Sequence, residues 1–169
     1  GFSIVASSGD SGSAANCAVL SVSYPASDPY VTAAGGSSLS TSTGIGFNSE
    51  LAWSGNFATG SCLANDGGSG GGCSVHFSSP YYQPSSHCQQ MRSVPDISLN
   101  ADFDNEPQFL AFQGDWWAVG GTSISSPEIA GFFAQENAYL LYIGSLVSNT
   151  CGSSHNAPCA PMGWANTYI

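Results

Sequence analysis

The sequence predicts an α/β fold, a largely parallel sheet flanked by helices. Three observations carry that expectation. Two short apolar runs, at 1–6 and 30–35, each end in a glycine-containing turn; a hairpin signal spans 109–120; and one long helical pattern begins near Ser123. A length of 169 residues fits a single domain with a sizeable core, and an apolar share of 42 % is that of a globular chain rather than a disordered one.

In chain order, GFSIVA at 1–6 is apolar and β-prone and runs straight into SSGDSGS, the pattern of a buried strand that delivers a loop. YVTAAG at 30–35 repeats it as a short strand followed by glycines. Between 55 and 74 the chain is rich in Gly, Ser and Asn and closes on GGSGGGCS. That stretch reads either as a flexible surface linker or as glycines that let the backbone approach a substrate closely. FLAFQGDWWAVG at 109–120 reads as two apolar arms around Gln113, Gly114 and Asp115. The second arm leads through GGTSISSP into a helix expected from roughly Ser123 to Tyr142. Along it Ile129, Phe132, Phe133 and Leu140 recur on a shared face. Its start is marked by Thr and Ser, by Pro127 in the first turns and by Glu128 just behind. Trp53, Trp116 and Trp117 are expected in the core or in a cleft wall.

Charge excludes several functions. Arg92 is the only Lys or Arg beside eleven acidic residues, so nothing could neutralise a phosphate backbone and nucleic acid is excluded as a partner. No run approaches roughly 18 uninterrupted apolar residues, so no membrane span is expected. The same charge poverty suits an acidic medium. Protonating the carboxylates there would cost few ion pairs and build up little positive self-repulsion. Six cysteines, at 17, 62, 73, 88, 151 and 159, lack CxxC spacing, which points to disulfides in an oxidising compartment rather than to zinc. Cys62–Cys73 and Cys151–Cys159 would each close a short loop, although spacing alone leaves the connectivity open.

The strongest local feature is Gly120-Gly121-Thr122-Ser123-Ile124-Ser125-Ser126-Pro127. A serine placed where a strand turns into a helix has its hydroxyl at the helix N-terminus, where free N–H groups and the dipole stabilise an oxyanion. Taken alone, the segment would be an ordinary serine N-cap. GGTSISSPEIAG resembles the GTSxxxP nucleophile segment shared by the subtilisin and sedolisin families, and four further segments select sedolisin. SSGDSG at 7–12 is similar to the loop of the oxyanion-hole aspartate. YPASDPYVTAAGGSSL at 24–39 resembles PASSPYVTxVGGT, GGGCSVHFSSPYYQ at 70–83 resembles SGGGxSxxFxxPxYQ, and RSVPDISLNAD at 92–102 resembles RGVPDVSxxAD. The segments follow the family's order.

The resemblance implies a subtilisin-like fold with the nucleophile at the N-terminus of a central helix. Residues 1–169 would form part of a peptidase catalytic domain, its remaining N-terminal part being a partner for this piece. It implies an acid-acting endopeptidase on protein or peptide substrates, in a secreted or acidic, lysosome-like or vacuolar setting. Ser123 would be the nucleophile and Asp10 the oxyanion-hole acid. An aspartate can donate there only when protonated, so burial and neighbouring carboxyl groups are expected around it and activity is expected to favour acid pH. Ser69, Gly70, Gly71 and Gly72 would pair with an extended substrate backbone. Asp96 and Asp102 are expected to be structural rather than cleft residues.

The sequence departs from the family in two places. The family's base is a Glu oriented by an Asp in a Glu-x-x-x-Asp helix, and no such spacing occurs here. Without a base, Ser123 has no proton acceptor. The base is expected on a longer chain; the rival expectation is an inactive relic serving as a binding or structural module. The family's calcium site needs carboxylates near the C-terminus, yet no Asp or Glu follows Glu136, and Ala165 in GWAN stands where the aspartate belongs. That donor set does not fit calcium, and no cofactor is expected. Two other serine-peptidase patterns fare worse. His76, His87 and His155 have no acid beside them for a Ser-His-Asp triad, and the GDSG turn at 9–12 lacks the preceding His and Asp of chymotrypsin-like enzymes.

Overall fold

The computed structural model describes residues 3–14, 19–42, 46–54, 67–83 and 87–143. They form eight strands and one helix: β1 Val5–Ser7, β2 Thr32–Ser42, β3 Gly46–Ala52, β4 Gly72–Ser78, β5 Met91–Val94, β6 Ile97–Asn100, β7 Gln108–Phe112, β8 Asp115–Val119 and α1 Thr122–Tyr142.

β2 is the axis of the main sheet. β1 and β6 run parallel to it, while β3 pairs with it antiparallel. The sheet is therefore mixed rather than largely parallel. The cause is local: only three residues separate Ser42 from Gly46, too few for the crossover a parallel neighbour requires. β4–β5 and β7–β8 form two separate antiparallel pairs.

Successive residues of β2 face opposite ways, and both faces are covered. Ala34 packs with Ile129 and Phe133 of α1, joined by Val5, Ile97 and Leu99. Ala33 packs on the other side with Ala26 and Val94, joined by Ala6 and Val22. Among the described residues a single helix covers one face, and coil and strand cover the other, so the expected helices on both sides are not seen. The buried residues of α1 are Thr122, Ser125, Ile129 and Phe133, one every three or four positions. Phe132 is exposed, which corrects its expected place on the inner face.

The hairpin forms as expected. Gln113 and Gly114 both take positive φ, at 53° and 90°, the conformation a two-residue turn between twisted strands demands. Its aromatic side chains do not join the core, however: Trp116 is 75 % and Phe109 67 % exposed. Trp53 is buried, as expected of it. Cys73 of β4 is bonded to Cys88, three residues ahead of β5, so the Cys62–Cys73 pairing does not form; the spacing of the chain did not report which segments would lie side by side. Cys151–Cys159 lies outside the described residues.

Beneath the sheet sits the one cationic side chain. Arg92 is fully buried and grips Asp96 with two hydrogen bonds of 2.6 Å, while its NH2 group also reaches the Val31 carbonyl at 3.2 Å. Asp96 accepts as well from the Ala33 N–H at 2.7 Å and from Gln83 at 2.8 Å. This network ties β5, β6 and β2 together and gives Asp96 the structural part expected of it. Asp102, also buried, caps its own loop by accepting from Ser38, from the Asn105 side chain and from the Asp104 N–H.

Candidate active site

The loop after β1 reaches the start of α1. Gly121 precedes the helix with φ of 86° and gives it no side-chain cap. The cap comes from far away in the chain. Asp10 Oδ1 accepts the Thr122 N–H at 2.8 Å and the Thr122 hydroxyl at 2.8 Å, across 112 residues of sequence. The Gly9 N–H donates back to Thr122 Oγ1 at 3.1 Å. A carboxylate on the first N–H of a helix is favoured by the dipole as well as by the hydrogen bond. Position 121 has to be glycine: its φ is left-handed, and a Cβ there would stand 2.6 Å from Asp10 Oδ2.

Ser123 follows Thr122 directly and is exposed. Among the described residues its N–H has no acceptor, while the next one, that of Ile124, bonds the Gly121 carbonyl at 3.0 Å. Pro127 cannot donate to the Ser123 carbonyl, so the helical ladder lacks that one bond in its first turns. Asp10 is itself exposed, contrary to its expected burial. Of the described histidines, neither His76 nor His87 is hydrogen-bonded to Ser123; His155 lies outside the described residues.

The glycine-rich stretch locks this arrangement from behind. The Gly70 N–H bonds the Gly9 carbonyl at 2.6 Å, the Gly68 N–H bonds the Asp10 carbonyl at 2.9 Å, and the Ser69 N–H bonds the Trp53 carbonyl at 3.0 Å. A Cβ on Gly70 would fall 2.0 Å from the Ser8 carbonyl oxygen, so the two backbones cross as closely as they can. The Ser69 hydroxyl accepts the Gly36 N–H at 2.8 Å, next to where β3 leaves β2. Ser69, Gly70 and Gly71 line an open cavity of about 540 Å³, whose lining also includes Glu50, Trp53 and Pro95. Gly72 begins β4, paired with Val94.

The structure thus brings Asp10, the N-terminus of α1 and Ser69–Gly71 into one neighbourhood. Sequence reasoning had not singled out Thr122 and Gly9 as partners of Asp10; their position beside the two proposed catalytic residues was the available signal. Among the described residues no three His, Cys, Asp or Glu side chains converge as a metal site. The segment at 163–166 lies outside the described residues. No helix among the described residues is long and apolar enough to cross a membrane.

No family profile matches the chain. It is 34 % identical over 120 residues to xanthomonalisin of Xanthomonas sp., covering 68 % of this chain and 14 % of that protein. It is 36 % identical over 117 residues to sedolisin of Pseudomonas sp., covering 68 % and 19 %. It is 34 % identical over 151 residues to kumamolisin of Bacillus sp., covering 83 % and 26 %. The fold superposes with a TM-score of 0.72 and 30 % identity on Pseudomonas sedolisin, a serine-carboxyl proteinase solved with two molecules of pseudo-iodotyrostatin. That match covers 84 % of this chain and 40 % of the other. The subtilisin-like α/β architecture is therefore shared, and the chain spans only part of the length of each relative. With its motifs, its fold and these relatives in agreement, this chain belongs to the sedolisin family of serine-carboxyl peptidases.

Proposed function

We propose that this chain supplies the nucleophile and the oxyanion acid of a serine-type endopeptidase that cleaves proteins at acid pH through an acyl-enzyme. One observation carries the reading: the Asp10 carboxyl docks on the first N–H of α1, beside Ser123. The Ser123 hydroxyl attacks the peptide carbonyl and yields its proton to a base. That base is a Glu in the family pattern and is supplied from outside these 169 residues, by the rest of the domain. The developing oxyanion lies at the helix N-terminus, where the Ser123 N–H and a protonated Asp10 donate to it. Collapse expels the amine, which takes up the proton from the base, and water then hydrolyses the ester and restores Ser123.

Only a carboxyl in its protonated form can donate to an oxyanion, so activity through Asp10 favours acid pH. Substrates are proteins or peptides in extended form, laid along Ser69, Gly70, Gly71 and Gly72. Gly71 and Gly72 offer the accessible end, since the Ser69 and Gly70 N–H groups are engaged inward. The Cys73–Cys88 bond suits a secreted or acidic, oxidising compartment. No step uses a metal.

The test is turnover of denatured protein at acid pH by the protein as its source makes it. Ser123→Ala should abolish it, and Asp10→Ala should lower kcat by about 10²–10³-fold. Turnover that survives Ser123→Ala sinks the assignment. A wild-type protein without turnover would make the chain a binding or structural module.

A further inference from the structure

Thr122 is fully buried and makes two donations to one atom. Its N–H and its hydroxyl both end on Asp10 Oδ1, each at 2.8 Å. The hydroxyl oxygen is held in turn by the Gly9 N–H at 3.1 Å. A line of donors therefore runs from Gly9 through Thr122 to Oδ1. A carboxyl oxygen has two lone pairs, and Thr122 occupies both on Oδ1. Oδ2 is placed differently. It faces the Cα of Gly121, where a Cβ would come within 2.6 Å of it against 3.5 Å for Oδ1, and no hydrogen bond reaches it among the described residues.

We propose that Thr122 is a positioning residue that decides which oxygen of Asp10 carries the proton. With both Oδ1 lone pairs filled, a proton can reside only on Oδ2. A carboxyl group without such bias carries its proton on either oxygen and turns about its last torsion, so its donor points the wrong way part of the time. Thr122 removes that freedom, and the same contact that caps the helix keeps the Asp10 donor on one side. The catalytic meaning of this arrangement rests on the peptidase reading above; the proton placement itself does not.

Two measurements on the protein as its source makes it test the proposal. The first compares Thr122→Val, which keeps the shape and loses the hydroxyl, with Thr122→Ser, which keeps the hydroxyl. Thr122→Val should lower kcat by about tenfold or more with KM within about twofold, whereas Thr122→Ser should stay within about threefold of wild type. Equal losses in the two variants, a change confined to KM, or a Val variant with wild-type kcat would each overturn it. The second measurement needs no turnover. In infrared difference spectra at acid pH, the carbonyl stretch of protonated Asp10 is the band that disappears in Asp10→Asn. Removing one of two donors from its carbonyl oxygen should move that band to higher wavenumber in Thr122→Val and leave it in place in Thr122→Ser. An unshifted band in Thr122→Val overturns the proposal. Should the wild-type protein show no peptidase activity, the peptidase reading fails, and the infrared comparison still decides where the proton sits.

Discussion

The β7–β8 hairpin and the start of α1 are separated by only Gly120 and Gly121, yet they are secured by opposite means. At the first residues of the helix the hydrogen-bonded anchors are long-range: Asp10 on Thr122, Gly9 on Thr122, and the Gly121 N–H on the Ala101 carbonyl at 2.7 Å. On the hairpin side the strands hold each other, with two bonds from the Gln108 side chain reaching outward, and Phe109, Phe112, Trp116 and Trp117 all stand in solvent. Position at the site is thus enforced by hydrogen bonds whose geometry is narrow, while the apolar surface nearby is left unused by the described residues. The chain covers 40 % of the sedolisin structure it matches, which is the setting in which such uncovered surface occurs.

The polar side breaks hardest where its charge is buried. Arg92→Ala leaves Asp96 without its partner at 3 % side-chain exposure, and unfolding in urea should show a loss of about 3–5 kcal/mol. A loss below about 1 kcal/mol would mean that the Ala33 and Gln83 bonds alone hold Asp96.

A smaller effect is expected at Asp102 and depends on pH. Burial raises its pKa, but the hydrogen bonds from Ser38, Asn105 and the Asp104 and Asn105 N–H groups outweigh this and hold it below its ordinary value of 3.8. A depressed carboxyl adds stability that is present above the unfolded-state pKa and disappears as pH falls through the folded-state one. The 102–106 loop should therefore keep its charged anchor well into the acid range. Urea midpoints followed downward from neutral pH should fall more steeply below the ordinary carboxylate range in wild type than in Asp102→Asn. Asp102→Asn should itself cost roughly 1 kcal/mol at neutral pH. Parallel curves for the two proteins would remove Asp102 as a source of acid sensitivity.

The smallest effect belongs to the hairpin. In a chain of these 169 residues, Trp116→Ser should change unfolding stability by no more than about 0.5 kcal/mol while raising the concentration at which the chain aggregates. A large destabilisation would show that Trp116 is covered after all, and the contrast with the α1 junction would collapse.

Much of this arrangement was legible in the sequence wherever the signal was local. Gln113-Gly114 between apolar arms specified the hairpin, and GGTSISSP specified the helix start to within a residue. Contacts between distant segments were not legible in the same way. Nothing in the spacing of SSGDSG and GGTS reports that Asp10 reaches across 112 residues to cap α1; the family resemblance brought the two together, and the hydrogen bonds gave the contact its form. Phe132 shows the limit of periodicity, because an apolar residue one step from the buried row at Ile129 and Phe133 satisfies the pattern yet faces outward. The Cys73–Cys88 bond shows the limit of loop length, since the nearer Cys62 was passed over in favour of Cys88 just ahead of β5. Thr122 was missed because threonine before a serine looks like an ordinary helix start, and its distinction lies in an acceptor supplied by another element.

Burying Arg92 has a colloidal consequence. With the only guanidinium inside, the outer layer of this chain contains no Lys or Arg, so acidification erases its negative charge while few side chains can add a positive one. Electrophoretic mobility should cross zero near the isoelectric point of about 4.1 and reverse only weakly below it. Under those conditions double-layer repulsion between molecules is weak, and their spacing in solution depends on the hydration of the serine- and glycine-rich surface, which added salt hardly disturbs.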